Sequence, residues 1–252
     1  MLDKSKKTGN SNFSEEEIAR FDALADSWWD PSGKYKTALE FNRARLTVIK
    51  TQLENHFGKG NLPPDYSALS IIDIGSGGGL ISEPLAALGA KVTGIDASSV
   101  SVEVAKRHAL KSGVDVEYKH MLSSEAVMTG QQYDVVINAE VVEHVPNQRQ
   151  LINECASLVK PGGLLILATL NRTIKSYVIA IVGAEYVLGW LPRGTHEFEK
   201  FLRPDEIQQP MTQAGLKVEP PQGVSFNPLL DQWRLSTDTN VNYLMVAARP
   251  EA

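Results

Sequence analysis

Short apolar runs alternate with amphipathic stretches along the chain from about residue 69 onwards. Apolar runs of about five residues predict strands, whereas apolar residues at every third or fourth position predict helices. Regular alternation of the two is typical of a parallel sheet with helices on both faces. The pattern therefore predicts an α/β fold whose first five strands lie at 69–74, 91–95, 114–119, 133–138 and 164–169.

The connections between these strands carry the helical pattern. Helices are predicted at 98–111, at 147–159 and around Leu85, the last of them ending at Gly89. Two later stretches, 216–221 and 241–248, have the character of strands, and no long helix separates them. Because so short a connection joins antiparallel neighbours, these two strands are predicted to pair at one edge of the sheet.

The N-terminal part of the chain differs from this alternating region. Residues 1–12 are polar and predict a flexible tail. Ser14 followed by Glu17 forms the pattern of a capping box, which predicts that a helix begins there, and a second helix is predicted at about 37–57. Residues 13–65 therefore form a helical cover, in which Trp28 and Trp29 are expected to pack onto the nucleotide site.

Composition narrows the class of protein. The chain has 252 residues, a formal net charge of -5 and one cysteine, Cys155. An acidic chain lacks the basic face that nucleic acid requires, and one thiol forms no internal disulfide. There is no apolar run of about 18 or more residues, so no segment is expected to span a bilayer. We expect one intracellular domain covering residues 13–252.

A glycine-rich loop follows the first predicted strand. Its sequence, Gly75-Ser-Gly77-Gly-Gly79, joins that strand to a helix and places backbone N–H groups where a ligand can approach them closely. A dinucleotide-binding loop has a small residue at its sixth position, where this chain has Leu80. The loop therefore predicts a nucleotide site of another kind.

Two carboxylates accompany the loop. Asp73 precedes it by two residues and suits a cationic amine, whereas Asp96 ends the second strand, where an acid accepts hydrogen bonds from ribose hydroxyls. A ribose and a cationic amino-acid tail occur together in S-adenosylmethionine. Asp-x-Gly-x-Gly-x-Gly, then Asp96, then Pro-Gly-Gly before the fifth strand resembles a class I methyltransferase.

The resemblance extends to one family, the ubiquinone biosynthesis O-methyltransferases, over roughly residues 15–247. It is carried by stretches that lie partly outside the general methyltransferase core: Phe21-x-x-Leu-Ala-x-x-Trp-Trp-Asp-Pro-x-Gly, Leu-Val-Lys-Pro-Gly-Gly (158–163), Thr-Leu-Asn-Arg-Thr (169–173), Val-Gly-Ala-Glu-Tyr (182–186), Gly194-Thr-His, Lys200-Phe, Phe226-Asn-Pro and Val241-Asn-Tyr-Leu.

The resemblance implies a seven-stranded Rossmann-like sheet, mostly parallel with one antiparallel edge strand. It implies S-adenosylmethionine as cofactor and polyprenylated phenols and catechols as substrates, namely 2-polyprenyl-6-hydroxyphenol and 3-demethylubiquinol. It also implies peripheral association with the cytoplasmic face of the inner membrane and admits other ubiquinone-biosynthesis proteins as partners. The cofactor residues that it and the loop indicate are Arg45, Asp73, Gly75, Gly77, Asp96 and Ala139.

The stretch after the fourth strand carries candidate catalytic groups. A phenol has a pKa near 10, so methyl transfer at neutral pH needs a base or a cation that favours the phenolate. His144, next to Glu143, is the predicted base. In a second hypothesis Glu140, Glu143 and His144 bind Mg²⁺ or Zn²⁺ on a catechol oxygen. In a third interpretation, Glu143 caps the next helix, His144 makes a local hydrogen bond, and neither residue takes part in the chemistry.

An insertion follows the fifth strand at 172–200. Its central part, 177–191, contains one charge among many apolar and aromatic residues, and Arg172, Lys175 and Arg193 flank it. Such a segment is too short to span a bilayer but suits the surface of a lipid membrane. A buried lid over the substrate pocket is the alternative. Because the substrate that the resemblance implies carries a polyprenyl tail, we favour the membrane-facing lid.

Three rival functions share this fold. A methyltransferase of another small acceptor would keep Gly75 and Asp96 but change the pocket. An NAD-dependent oxidoreductase is disfavoured by Leu80 and Asp73. A non-enzymatic lipid-binding scaffold would bind the cofactor without turnover.

Overall fold

The computed structural model describes residues 12–22, 28–29, 36–60, 62–179, 197–227 and 232–251. The tail predicted at residues 1–11 and most of the predicted insertion, residues 180–196, lie outside the described residues. The rest forms one seven-stranded sheet, covered by helices on both faces, and a separate two-stranded hairpin.

The strand order of the large sheet is β3-β2-β1-β4-β5-β9-β6. Strands β1 to β5 are parallel to one another, and β9 runs antiparallel between β5 and the short edge strand β6. The predicted antiparallel pairing of the last two strands at one edge is confirmed. The strands are β1 (Ser70–Ile74), β2 (Lys91–Asp96), β3 (Val116–His120), β4 (Tyr133–Ala139), β5 (Val159–Leu170), β6 (Lys217–Val218) and β9 (Asn242–Ala248).

Helices cover both faces of this sheet. The two N-terminal helices precede β1 as predicted, and the remaining ones connect the strands. The helices are α1 (Glu15–Asp22), α2 (Lys36–Phe57), α3 (Ser82–Ala86), α4 (Ser99–Ser112), α5 (Ser123–Met128), α6 (Gln148–Ser157), α7 (Ile174–Ser176) and α8 (Pro204–Gln213). Among the described residues no helix is both long and apolar enough to cross a lipid bilayer.

The hydrophobic core lies on both faces of the sheet, because successive residues of a central strand point to opposite faces. In β1, Ile72 and Ile74 belong to the apolar cluster beneath α6 and α8, whereas Ile71 belongs to the cluster beneath α2. Each of these side chains is at most 3% exposed. A strand buried on both faces is mainly apolar, and residues 69–74 have that pattern apart from Ser70 and Asp73.

The structure corrects three predicted boundaries. The fifth strand begins at Val159 rather than 164, because Val159 already pairs with Tyr133, and the register shift falls in the following residues. The helix before it consequently ends at Ser157. The helix around Leu85 ends at Ala86, and Gly89, at φ +102°, belongs to the turn that follows.

Three elements were not predicted. Helix α5 has only six residues, helix α8 contains Pro210 in its interior, and the hairpin of β7 (Gly223–Asn227) and β8 (Gln232–Ser236) lies among prolines and polar residues. The buried Asn242 of β9 attaches this hairpin to the sheet: its amide accepts from the N–H of Val224 at 3.0 Å and donates to the Val224 carbonyl at 2.9 Å. A single polar side chain thereby replaces a pair of strand hydrogen bonds.

Truncation of a central core residue should destabilise the protein strongly. Leu165 in β5 is fully buried, so L165A should lower the free energy of unfolding by about 2–5 kcal/mol, the cost of lost burial plus a cavity. The matched control is L110A, because Leu110 on α4 is 85% exposed and its truncation should change stability by about 0.5 kcal/mol or less. Urea unfolding followed by circular dichroism measures both. Equal midpoints for the two variants would contradict this account of the core.

Candidate active site

The glycine loop leaves β1 at Gly75 and is hydrogen-bonded to the end of the adjacent strand β2. The N–H groups of Gly75 and Ser76 donate to the carbonyl of Ile95 at 2.8 and 3.0 Å. Gly75, Gly77 and Gly79 have φ of +75°, +51° and +88°, the left-handed region that a residue with a side chain rarely adopts. The predicted loop therefore needs its glycines for its backbone path.

Asp96 holds the other side of the loop. Its carboxylate accepts the N–H of Gly77 at 2.9 Å and the N–H of Ser98 at 2.8 Å. Burial raises the pKa of Asp96, and the two backbone hydrogen bonds oppose that effect. The acid predicted at the end of the second strand therefore lies directly against the glycine loop.

The paired tryptophans pack on the outer side of the loop. A Cβ atom on Gly78 would lie 2.5 Å from the ring of Trp28, and the indole of Trp29 donates to the Gly78 carbonyl at 2.8 Å. The Trp29 ring in turn stacks on His108 with 3.6 Å between ring centres, and Glu83 holds that imidazole at 2.8 Å. The predicted packing of the tryptophans onto the nucleotide site is confirmed.

Asp73 is buried beside the loop. The hydroxyl of Ser82 donates to its carboxylate at 2.6 Å. Burial raises the pKa of Asp73 to about 6, and the nearby charge of Asp96 acts in the same direction. The group is therefore still mostly ionised at neutral pH, as the attraction of a cationic amine requires.

Arg45 and Glu140 form an ion pair across the site. Arg45 Nη2 lies 2.8 Å from Glu140 Oε1, and the guanidinium also stacks over the Phe41 ring at 4.5 Å. Glu140 has φ of +57°, and it is the one residue other than glycine with positive φ in the described part of the chain. An unfavourable backbone conformation of this kind is typical of functional sites.

Glu143 faces the protein interior. The hydroxyl of Thr169 donates to one of its carboxylate oxygens at 2.9 Å, and the other oxygen has no hydrogen-bond partner among the described residues. Burial, reinforced by the neighbouring Glu140 carboxylate, raises the pKa of Glu143 well above its ordinary value. Burial therefore favours the neutral form of the Glu143 carboxyl.

His144 is held by a residue that the sequence did not indicate as functional. Its Nδ1 lies 3.1 Å from Oε2 of Glu17 on α1, and the ring of Phe21 packs against it edge to face at 5.1 Å. The sequence indicates Glu17 only as the partner of Ser14 in a capping box. Its backbone N–H does bond the Ser14 hydroxyl, at 3.3 Å, but its carboxylate points towards His144.

Of these three sequence neighbours, Glu140 and Glu143 have carboxylates that lie close to each other, whereas the His144 imidazole contacts Glu17. Within the residues that the structure describes, no three histidine, cysteine or acidic side chains are grouped so that they could hold a metal ion. The metal site predicted at Glu140, Glu143 and His144 therefore stays a prediction. Glu143 is buried, whereas Glu140 and His144 line the cavity.

One cavity of about 470 Å³ unites these groups, a volume typical of small-molecule sites. His144 and Glu17 lie in its wall, together with Glu140. Every residue predicted to contact the cofactor lines the same cavity: Arg45, Asp73, Gly75, Gly77, Asp96 and Ala139. Sequence reasoning missed Glu17 and Asn242, which reach the cavity from the two ends of the chain.

Known proteins share both the sequence and the fold. The sequence model of a methyltransferase domain family matches residues 41–220. A ubiquinone biosynthesis O-methyltransferase from Methylobacterium nodulans is 47% identical over 249 residues, which cover 98% of this chain and all of that one. Its counterpart from Chelativorans sp. is 46% identical over 237 residues, or 94% of each chain.

A solved structure supports the fold independently. Magnesium protoporphyrin IX methyltransferase from Synechocystis, crystallised with SAH, superposes with a TM-score of 0.65 at 20% identity, covering 93% of this chain and all of the other. Three observations agree with one another: the strand order, the glycine loop followed by Asp96, and an identity above 40% to these relatives over nearly the full length. This chain therefore belongs to the family of the ubiquinone biosynthesis O-methyltransferases.

Proposed function

We propose that this chain transfers a methyl group from S-adenosylmethionine to a hydroxyl of a polyprenylated phenol or catechol, at the two O-methylation steps of ubiquinone synthesis. The observation that carries the proposal is the single cavity. Its wall holds the glycine loop and Asp96 and also His144, so a donor and an acceptor can meet inside it. Alignment of two reactants in one site accounts for much of the rate enhancement in such reactions.

The residues of the loop fit the proposed cofactor. Asp96 can accept ribose hydroxyls, while the buried carboxylate of Asp73 and the guanidinium of Arg45 complement the ammonium and carboxylate of an amino-acid tail. A Cβ atom at Gly75 would lie 2.3 Å from the Val141 side chain, so this position accommodates only glycine. When bound, S-adenosylmethionine supplies an electrophilic methyl group on its sulfonium.

His144 is the proposed general base at the acceptor end. Its imidazole lies in the cavity wall, where it can take the proton of the acceptor hydroxyl as the oxygen attacks the methyl group. Glu143 is predicted to share this role, but its side chain is buried and does not line the cavity, so we assign it instead to support of the turn at Val142–His144 through Thr169.

The polyprenyl tail of the proposed substrate requires an apolar exit. Four exposed apolar side chains follow β5 at the start of the predicted insertion, and Ile179 also lines the cavity. They are Ile174, Tyr177, Val178 and Ile179. We propose that this patch contacts the membrane surface. Arg172 and Lys175, predicted to bind anionic lipid, pair with Glu206 and Asp238, whereas Arg193 lies outside the described residues.

Loss of the Asp96 carboxylate should weaken cofactor binding. D96N should raise the Kd for S-adenosylmethionine about ten- to a hundred-fold, equivalent to about 1.5–3 kcal/mol for hydrogen bonds to a charged group. Calorimetric titration measures the change. D115N is the matched control because Asp115 is exposed at the far end of α4. Binding of NAD, or unchanged affinity in D96N, would count against the proposed cofactor site.

Removal of the proposed base should slow the chemistry and leave cofactor binding intact. H144Q should lower kcat about 10²- to 10⁴-fold on a catechol acceptor. H56Q is the control, because His56 is exposed and does not line the cavity; its imidazole bonds the Gly162 carbonyl at 2.8 Å. Initial rates with radiolabelled S-adenosylmethionine measure both variants. An H144Q rate equal to that of H56Q would exclude His144 as the base.

Negative charges introduced into the apolar patch should slow methylation only of substrates that carry a polyprenyl tail. I174E/V178E should reduce flotation with anionic phospholipid vesicles several-fold, because burial of a charge in lipid is costly. It should slow methylation of a polyprenylated catechol in those vesicles while leaving a short-chain, water-soluble catechol unaffected. L110E, on an exposed leucine of α4, is the control. Equal flotation of wild type and variant would place membrane contact elsewhere.

A further inference from the structure

Trp28 and Trp29 contact the glycine loop in different ways. Trp28 lines the cavity, and its ring lies so close to the loop that a Cβ atom would come within 2.8 Å of it at Gly77 and within 2.5 Å at Gly78. Trp29 is not among the described residues that line the cavity, but its indole N–H donates to the Gly78 carbonyl at 2.8 Å. One tryptophan therefore faces the space for the ligand, and the other is bonded to the loop.

We propose that Trp28 covers S-adenosylmethionine at the glycine loop and that Trp29 is the positioning residue of this cover. Trp29 acts through a clasp, which consists of Trp29, His108 and Glu83. An aromatic ring against a bound ligand buries apolar surface and slows release of the ligand. The inference rests on the cofactor of the proposed function and is independent of the acceptor and of the base.

Glu83 is the buried end of the clasp. Its side chain is 5% exposed, and its two carboxylate oxygens lie 2.8 and 2.9 Å from Nδ1 of His108. The Ser112 hydroxyl lies 3.1 Å from the same nitrogen. Burial raises the pKa of Glu83, and the hydrogen bond and charge of His108 oppose that effect. Because a buried carboxylate is costly without a partner, the imidazole is held in one place.

His108 transmits this restraint to Trp29. The two rings are nearly parallel, with 3° between their planes and 3.6 Å between their centres. Flat stacking buries a face of each ring and restricts rotation of the indole. The stack therefore fixes the direction of the indole N–H that bonds the Gly78 carbonyl.

The clasp joins the two helices that flank the glycine loop. Glu83 belongs to α3, and its own N–H donates to the Gly79 carbonyl at 3.0 Å. His108 belongs to α4, whose N-cap residue Ser98 donates its N–H to Asp96. The elements that place the loop and Asp96 thus also place Trp29. Loss of the clasp should therefore weaken cofactor binding.

Calorimetric titration of four variants tests the cover and the clasp. W28A should raise the Kd for S-adenosylmethionine about ten-fold, and W28F, which keeps a ring, should recover most of that loss. W29L should raise the Kd about three- to ten-fold, and E83Q about three-fold, although Glu83 does not line the cavity. E103Q is the matched control for E83Q, because Glu103 is exposed on α4.

A double variant separates the clasp from general destabilisation. W29L/E83Q should bind the cofactor no more weakly than W29L, because Glu83 acts through Trp29. The KM for S-adenosylmethionine should rise with the Kd, while kcat at saturating cofactor should change less than about two-fold. If the effects of W29L and E83Q multiply, or if kcat falls together with the melting temperature in both, these residues only stabilise the fold and the proposal is wrong.

Indole ¹H–¹⁵N spectra give a readout that is independent of turnover. The chain has four tryptophans, and the signals that disappear in W28F and W29F identify the two that matter. Saturation with S-adenosylmethionine should shift the Trp28 signal, because its ring lines the cavity. It should also slow hydrogen exchange of the Trp29 indole N–H, because a bound cofactor stabilises the loop that carries the Gly78 carbonyl. In E83Q this exchange should be faster than in the wild type.

The clasp and the proposed function fail by different results. A wild type that binds no S-adenosylmethionine would overturn the proposed function and, with it, the clasp. A wild type that binds it, with unchanged affinity in W28A and W29L and no response of either indole signal, would overturn the clasp alone.

Discussion

The glycine loop keeps its shape because its N–H groups are hydrogen-bonded to the end of the neighbouring strand. Gly75 and Ser76 donate to the Ile95 carbonyl, and Gly77 donates to the Asp96 carboxylate. Two adjacent parallel strands thereby bring a row of N–H groups and an acid to the same edge of the sheet. The tryptophan pair packs on this loop from outside, and α1 is tied to the same edge through Ser98.

The cofactor end of the site could be predicted from sequence because its determinants are local. The loop and Asp96 lie within about one strand–helix–strand unit, and strand ends at one edge of a parallel sheet must meet. The contact of Glu17 with His144 could not be predicted, since no local pattern specifies it and the capping box already explained a glutamate at that position. The hairpin β7–β8 was missed because prolines and polar residues surround its short strands. It is attached to β9 by the buried Val224, by the backbone pair of Gln222 and Leu244, and by the amide of Asn242.

The turn after β4 shows how neighbouring residues acquire different roles. Three polar side chains within five residues suggested one metal site, but the left-handed backbone at Glu140 directs that carboxylate to Arg45. Glu143 then points into the core, and His144 points to the cavity. Spacing along the sequence indicates shared chemistry only where the backbone is regular, and it is not regular here.

The cavity extends beyond the region that general methyltransferases have in common. The family match covers residues 41–220, whereas Glu17 and Asn242 line the cavity from outside it. Residues outside the matched region contribute at both ends of the cavity, because Trp28 packs on the glycine loop and Glu17 contacts His144. In evolutionary terms, changes near the chain ends can reshape the cavity without any change inside the matched domain.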